Sequence, residues 1–136
     1  MSEPSEQEAA NLALIRRMWE AFNERGLLGI LDFAAPDARW EPYSAGGRVF
    51  ETTAEYRAYI EDMVEREEVL EATLCDVKAA GDHVLVNGRI RLRGRGGLRD
   101  TNLYWVHRVR DGEVVFTASF LTADEALAAA GVRPPA

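Results

Sequence analysis

Cysteine is almost missing from this chain, and histidine nearly so: one Cys and two His in 136 residues. A lone Cys75 excludes an internal disulfide and fits a reducing compartment, so the expected location is cytoplasmic. Two histidines on different strands and one cysteine do not make a metal-ligand set, and neither metal nor cofactor is expected. No apolar run approaches the ~20 residues of a membrane-spanning helix. The start, Met1-Ser2-Glu3-Pro4-Ser5-Glu6, lacks the basic end and apolar stretch of a secretory leader, so no membrane partner is expected. There is no phosphate-cradling glycine motif, no internal repeat and no linker. Basic charge is in the minority, 16 residues against 23 acidic ones for a net charge of −7. That balance repels phosphate backbones and argues against nucleic acid.

What remains is an ordinary globular composition, 47% apolar. The length predicts one domain over 1–136, with an ordered core of about 7–131 and loose tails at 1–6 and 132–136. A chain this long can bury roughly two-thirds of its unfolded surface.

Leu12, Ile15, Met18, Trp19 and Phe22 recur at helical steps and predict a helix over 6–25, stopped at Gly26. A shorter helix through Leu27–Phe33 ends before Pro36, and a strand over 37–42 carries Trp40. Thr52-x-x-Glu55 has the form of a capping box and starts a third helix. Its expected buried stripe is Tyr56, Tyr59, Ile60, Met63 and Val64. From Val69 the period changes to two. Strands near 69–79, 83–93, 98–110 and 113–121 are separated by Gly81-Asp82, Gly94-Arg95-Gly96-Gly97 and Asp111-Gly112. A last helix covers 124–130, capped by Thr122 or Asp124. Helices followed by an antiparallel meander give an α+β class.

If the glycine turn pairs Arg93 with Leu98, Arg91 opposes Asp100, Arg89 opposes Asn102, Val86 opposes Trp105 and Val84 opposes His107. Leu103, Trp105 and His107 then share the inner face. The arginines 89, 91 and 93 form a solvated, charge-paired outer face. The last strand stays open. A two-residue turn at Asp111-Gly112 puts Phe116, Ala118 and Phe120 inside; a three-residue loop with a bulge puts Val115, Thr117 and Ser119 inside. Both its faces are apolar, so both should be covered, one by helices and the other most simply by a second copy in a homodimer.

Five segments carry a resemblance: Ala21-Phe22-Asn23 to Gly26, Pro36-Asp37-Ala38-Arg39-Trp40, Gly81-Asp82-His83-Val84, Val109-Arg110-Asp111-Gly112, and Phe120 to Gly131. In this order and spacing the chain resembles the SnoaL-like branch of the nuclear transport factor 2-like superfamily. That group includes polyketide cyclases, ketosteroid isomerase and limonene epoxide hydrolase. The resemblance implies a cone-shaped curved antiparallel sheet covered by N-terminal helices, a cystatin-like α+β barrel around an apolar cavity, and commonly a homodimer. It favours the bulged loop at the last turn. It also shows departures. Trp19 and Trp105 fall where the isomerase has its Tyr and Asp oxyanion donors, and Glu41 or Pro42 falls at its base. Ser119 falls at one acid of the epoxide hydrolase, and Asp100 lies near the other but faces outward.

His107 is the leading catalytic candidate, because a buried imidazole can move a proton near neutral pH. A core histidine bonded to a neighbour is the plainer alternative. Glu41 is a candidate base, though alternation with Trp40 turns it outward. Tyr43 could offer a phenol from a loop. Trp19, Phe22, Trp40, Tyr56, Met63, Leu103, Trp105, Thr117 and Ser119 are expected to line the cavity. The function read from this is a pocket holding a small hydrophobic molecule, either a cofactor-independent isomerase, cyclase or hydrolase, or a non-catalytic binding or dimerisation module.

Overall fold

The computed structural model describes residues 5–45, 47–94 and 97–132. The first element, α1 (Glu6–Arg25), starts where a complete capping box forms. The Ser5 hydroxyl accepts from Glu8 N–H at 3.1 Å, and Ser5 N–H donates to the Glu8 carboxylate at 3.0 Å. Ser5 and Glu6 thus form the start of α1. The same carboxylate accepts from Gly81 N–H at 3.1 Å and ties the start of α1 to a hairpin turn. Gly26 ends α1 with φ 75°, a left-handed value that only glycine adopts freely.

The helix α2 (Leu27–Ile30) and a 3-10 turn (Leu31–Phe33) follow. Gly29 packs so tightly on α1 that a Cβ there would lie 2.6 Å from the carbonyl oxygen of Ala21. The strand β1 (Ala34–Glu41) begins earlier than the sequence predicts and contains Pro36. A proline is tolerated there because β1 is an edge strand and is bulged between Ala34 and Arg39. The helix α3 (Thr53–Glu65) is capped by Thr52, which accepts from Glu55 N–H. The Glu55 carboxylate reaches Glu51 N–H instead of Thr52, so the predicted box closes one residue early. Tyr56, Ile60 and Met63 are buried as expected, but Val64 is 58% exposed.

Four long strands follow: β2 (Val69–Ala80), β3 (His83–Gly94), β4 (Gly97–Arg110) and β5 (Glu113–Phe120). The sheet order is β1-β5-β4-β3-β2. The β3–β4 register is the predicted one, including Arg91 with Asp100, Val86 with Trp105 and Val84 with His107. Arg95 and Gly96 of the glycine turn lie outside the described residues. One expectation is corrected: β1 runs parallel to β5, so the curved, unclosed sheet is mixed and not purely antiparallel. Alternation reveals which face a residue takes, not the direction of the strand that carries it.

The Asp111-Gly112 turn resolves the open face of β5 by combining both alternatives. The turn has two residues, both at positive φ (52° and 76°), as a tight hairpin requires. A bulge inside the strand then pairs Val109 with Val114 and Arg108 with Phe116, leaving Val115 over. Thr117 and Ser119 therefore face inward, opposite His107 and Trp105, while Phe116 and Phe120 face outward. The last helix, α4 (Ala123–Ala129), covers part of that outer face by packing Ala126 and Ala130 on Val106. The chain thus supplies some of the second cover itself.

Sheet curvature has a local cause. Gly88 is buried on β3, and a Cβ there would sit 2.5 Å from the carbonyl oxygen of Thr73. Opposite it, β2 is bulged between Leu74 and Asp76, which leaves the exposed Cys75 unpaired. A glycine facing a bulge lets the two strands close on each other and bend around the helices.

Candidate functional site

The inner faces of β3, β4 and β5 and the helices α1, α2 and α3 enclose a cavity of about 40 Å³. One water needs ~10–15 Å³ of such space, so the volume is that of about three. Trp19 and Phe22 of α1, Trp40 of β1, Tyr56 of α3 and Trp105 of β4 form an aromatic wall. All three tryptophans of the chain line this one space. Trp19 and Trp105 meet edge to face at 4.8 Å, and Trp40 stacks on Tyr56 at 4.7 Å. Trp40 is fixed by its indole N–H, which donates to Thr53 Oγ1 at 3.3 Å; that hydroxyl donates in turn to the Ala35 carbonyl at 2.6 Å.

His107 is 1% exposed and lines the cavity. Trp19 Nε1–H donates to its Nε2 at 3.3 Å. An indole nitrogen can only donate, so Nε2 is an acceptor and the ring proton sits on Nδ1. Nδ1–H then donates to Thr117 Oγ1 at 2.9 Å. Burial pushes the imidazole pKa down to about 3, because the charged form would lose its hydration with no anion to replace it. At neutral pH the ring is uncharged and both nitrogens are engaged. Ser119 Oγ accepts from Tyr43 N–H at 2.6 Å and pins the loop after β1 to β5.

Of the residues singled out from sequence, His107, Trp19, Phe22, Trp40, Tyr56, Leu103, Trp105, Thr117 and Ser119 come together here. Three do not. Glu41 points to the outer side of β1, where its carboxylate accepts from Arg39 Nε at 2.8 Å. Tyr43 is 46% exposed, and its link to the site is its backbone N–H, not its phenol. Met63 lies behind the wall in a separate groove. Asp100 pairs with Arg91 on the outer face, as expected. Sequence reasoning missed Leu27, Ile30, Leu70, Ala72 and Ile90 as lining residues. Strand alternation carried a signal for Ile90, which shares a face of β3 with Val86 opposite Trp105.

The lining holds no carboxylate, lysine or arginine among the described residues. No group of three or more His, Cys, Asp or Glu side chains placed to hold a metal occurs among them either. No described helix is long and apolar enough to cross a membrane. The cavity is a neutral, aromatic space whose polar edge is His107, Thr117 and Ser119.

The comparisons with known proteins agree with this architecture. None of the curated proteins compared matches the chain. Among solved structures, a nuclear transport factor 2-like protein of unknown function from Burkholderia pseudomallei is 23% identical; the match covers 88% of this chain and 95% of that one, with a TM-score of 0.71. A proposed SnoaL-like polyketide cyclase from Jannaschia is 21% identical, with 99% and 100% covered and a TM-score of 0.72. An epoxide hydrolase of Mycobacterium tuberculosis, of the limonene epoxide hydrolase-like kind, is 13% identical, with 90% of each chain covered and a TM-score of 0.72. At these identities the structures speak for the fold alone. A model of the SnoaL-like domain matches residues 15–117, from the middle of α1 to Thr117 at the cavity, and the chain belongs to the SnoaL-like family.

Proposed function

We propose that this protein binds a small, uncharged, mainly apolar molecule and does not run acid/base chemistry through His107. The observation that carries this is the state of that imidazole: buried, neutral, accepting from Trp19 and donating to Thr117, in a cavity without a carboxylate. A base whose conjugate acid has a pKa of about 3 takes up almost no proton at pH 7, and this one must first break its bond to Trp19. The aromatic wall supplies the apolar contact, and the Ser119 hydroxyl proton is left to meet one acceptor on the ligand. We further propose a homodimer in a reducing compartment. Tyr104, Phe116 and Phe120 are only partly buried on the outer face beside α4, Leu121 is 48% exposed, and Cys75 is a free exposed thiol.

Native mass spectrometry of the purified protein tests the binding role. A copurified molecule that quenches or shifts the emission of the three cavity tryptophans supports it. His107→Gln should then change affinity by less than about tenfold. Catalytic turnover of that molecule, lost in His107→Gln, would overturn it. Light scattering that finds a monomer would overturn the dimer.

A further inference from the structure

A second space lies against the first. Between Gly26–Leu28, the C-terminal half of α3 and the start of β2 runs a surface groove of about 250 Å³. Leu27 and Leu70 line both the cavity and the groove. Both are partly exposed, as a partition between an interior and the surface must be. Alone, the cavity is smaller than the roughly 150 Å³ that holds a benzene ring. Joined to the groove, it comes close to the ~300 Å³ at which ordinary ligand sites begin.

Resting on the binding role above, we propose that the groove is the outer half of the ligand site, and that Leu27 and Leu70 set how long a ligand the protein accepts. The occupant is an amphiphile. Its apolar end sits among the tryptophans, its chain passes between Leu27 and Leu70, and its polar end lies in the groove. Met63 and Ile60 give the groove an apolar floor, and Val64 stands at its side, 58% exposed. Its charged residues are Arg25, Glu67 and Glu68. Arg25 is engaged by Asp32 at 2.8 Å, and Glu68 lies 3.6 Å from Arg66. Glu67 is held at φ 60°, a left-handed value that costs a non-glycine residue energy, as it closes α3. The lining carries two carboxylates against one guanidinium, so the polar end is not an anion.

The test uses linear primary alcohols from 1-propanol to 1-decanol, with tryptophan emission of the full chain as the readout. Affinity should rise about fourfold per methylene and continue past the few atoms that the cavity holds. Val64→Phe, a surface change that narrows the groove, should stop the rise at intermediate length. Leu27→Ala should bind 1-decanol about tenfold or more tightly than the unmodified protein. Carboxylates of the same lengths should bind more weakly than the alcohols. A rise that ends within the first carbons, or 1-decanol binding untouched by both substitutions, overturns the groove. Equal or tighter binding of the carboxylates overturns the non-anionic end. If no alcohol of any length perturbs the tryptophans, the binding role itself fails, an outcome distinct from either.

Discussion

Acidification should destabilise this protein well before its carboxylates titrate, and His107 is the reason. The imidazole titrates near 6.5 in the unfolded chain but only at about 3 when folded. Between those values the unfolded state binds a proton that the folded state refuses, so stability falls with falling pH across that window and is whole above it. At pH 5 the gap spans about 1.5 units of the unfolded titration, which at 1.36 kcal/mol per unit is about 2 kcal/mol. For a domain of this size that corresponds to a fall in Tm of about 6–8 °C.

Urea denaturation at pH 8 and pH 5, for the unmodified protein and for His107→Gln, isolates the effect. Glu8 and Asp82 also have carboxyls held below their ordinary values, by hydrogen bonds from Ser5 and Gly81 and from Arg108 respectively. Their stabilisation is present above the unfolded carboxylate range and is lost only as pH drops through it. Both groups are intact in the variant and cancel in the difference. The unmodified protein should lose about 2 kcal/mol between the two pH values, and the variant much less of it. If the two lose stability in parallel, the ring is not buried neutral, and the account of His107 as a fixed hydrogen-bonding group collapses.

Three further outcomes follow from the packing. Gly88→Ala should cost about 1–3 kcal/mol or more by equilibrium unfolding, because its Cβ must displace the Thr73 carbonyl; a cost near zero would mean that the bend does not depend on this glycine. Trp19→Phe keeps most of the aromatic volume but leaves His107 Nε2 without its donor, so it should destabilise by about 1–3 kcal/mol at neutral pH and reduce the stability lost between pH 8 and pH 5, since an unbonded Nε2 takes up a proton more readily in the folded state. Ser119→Ala removes the acceptor of Tyr43 N–H, and hydrogen exchange of that amide should speed up markedly while β5 stays protected.

The fold was legible where physics is local. Alternation in 83–110, with glycines at both ends, leaves one register in which Arg91 meets Asp100 and Val86 meets Trp105, and that register is the one found. The direction of β1 was not legible, since nothing in Ala38-Arg39-Trp40 distinguishes a parallel neighbour from an antiparallel one. The face of β5 was not legible either. It depends on whether one extra residue enters the ladder opposite Val109, and Val114 and Val115 are equally willing to be that residue.

The cavity divides in the same way. Its aromatic wall could be anticipated because large apolar residues at helical or strand period have only one place to go. Its chemistry could not, because whether a histidine moves a proton depends on what its two nitrogens touch: one partner of His107, Thr117, faces it only because of the bulge in β5, and the other lies far off in sequence. Trp19 stands 88 residues away across the fold. That contact also gives the indole of Trp19 a role beyond bulk: its N–H is turned toward an imidazole. A tryptophan there and a histidine opposite form a matched pair, each satisfying the other's buried polar atom. A cavity walled by aromatic rings, with its histidine satisfied on both nitrogens, holds apolar surface well. It has little left with which to stabilise a charge developing on a ligand.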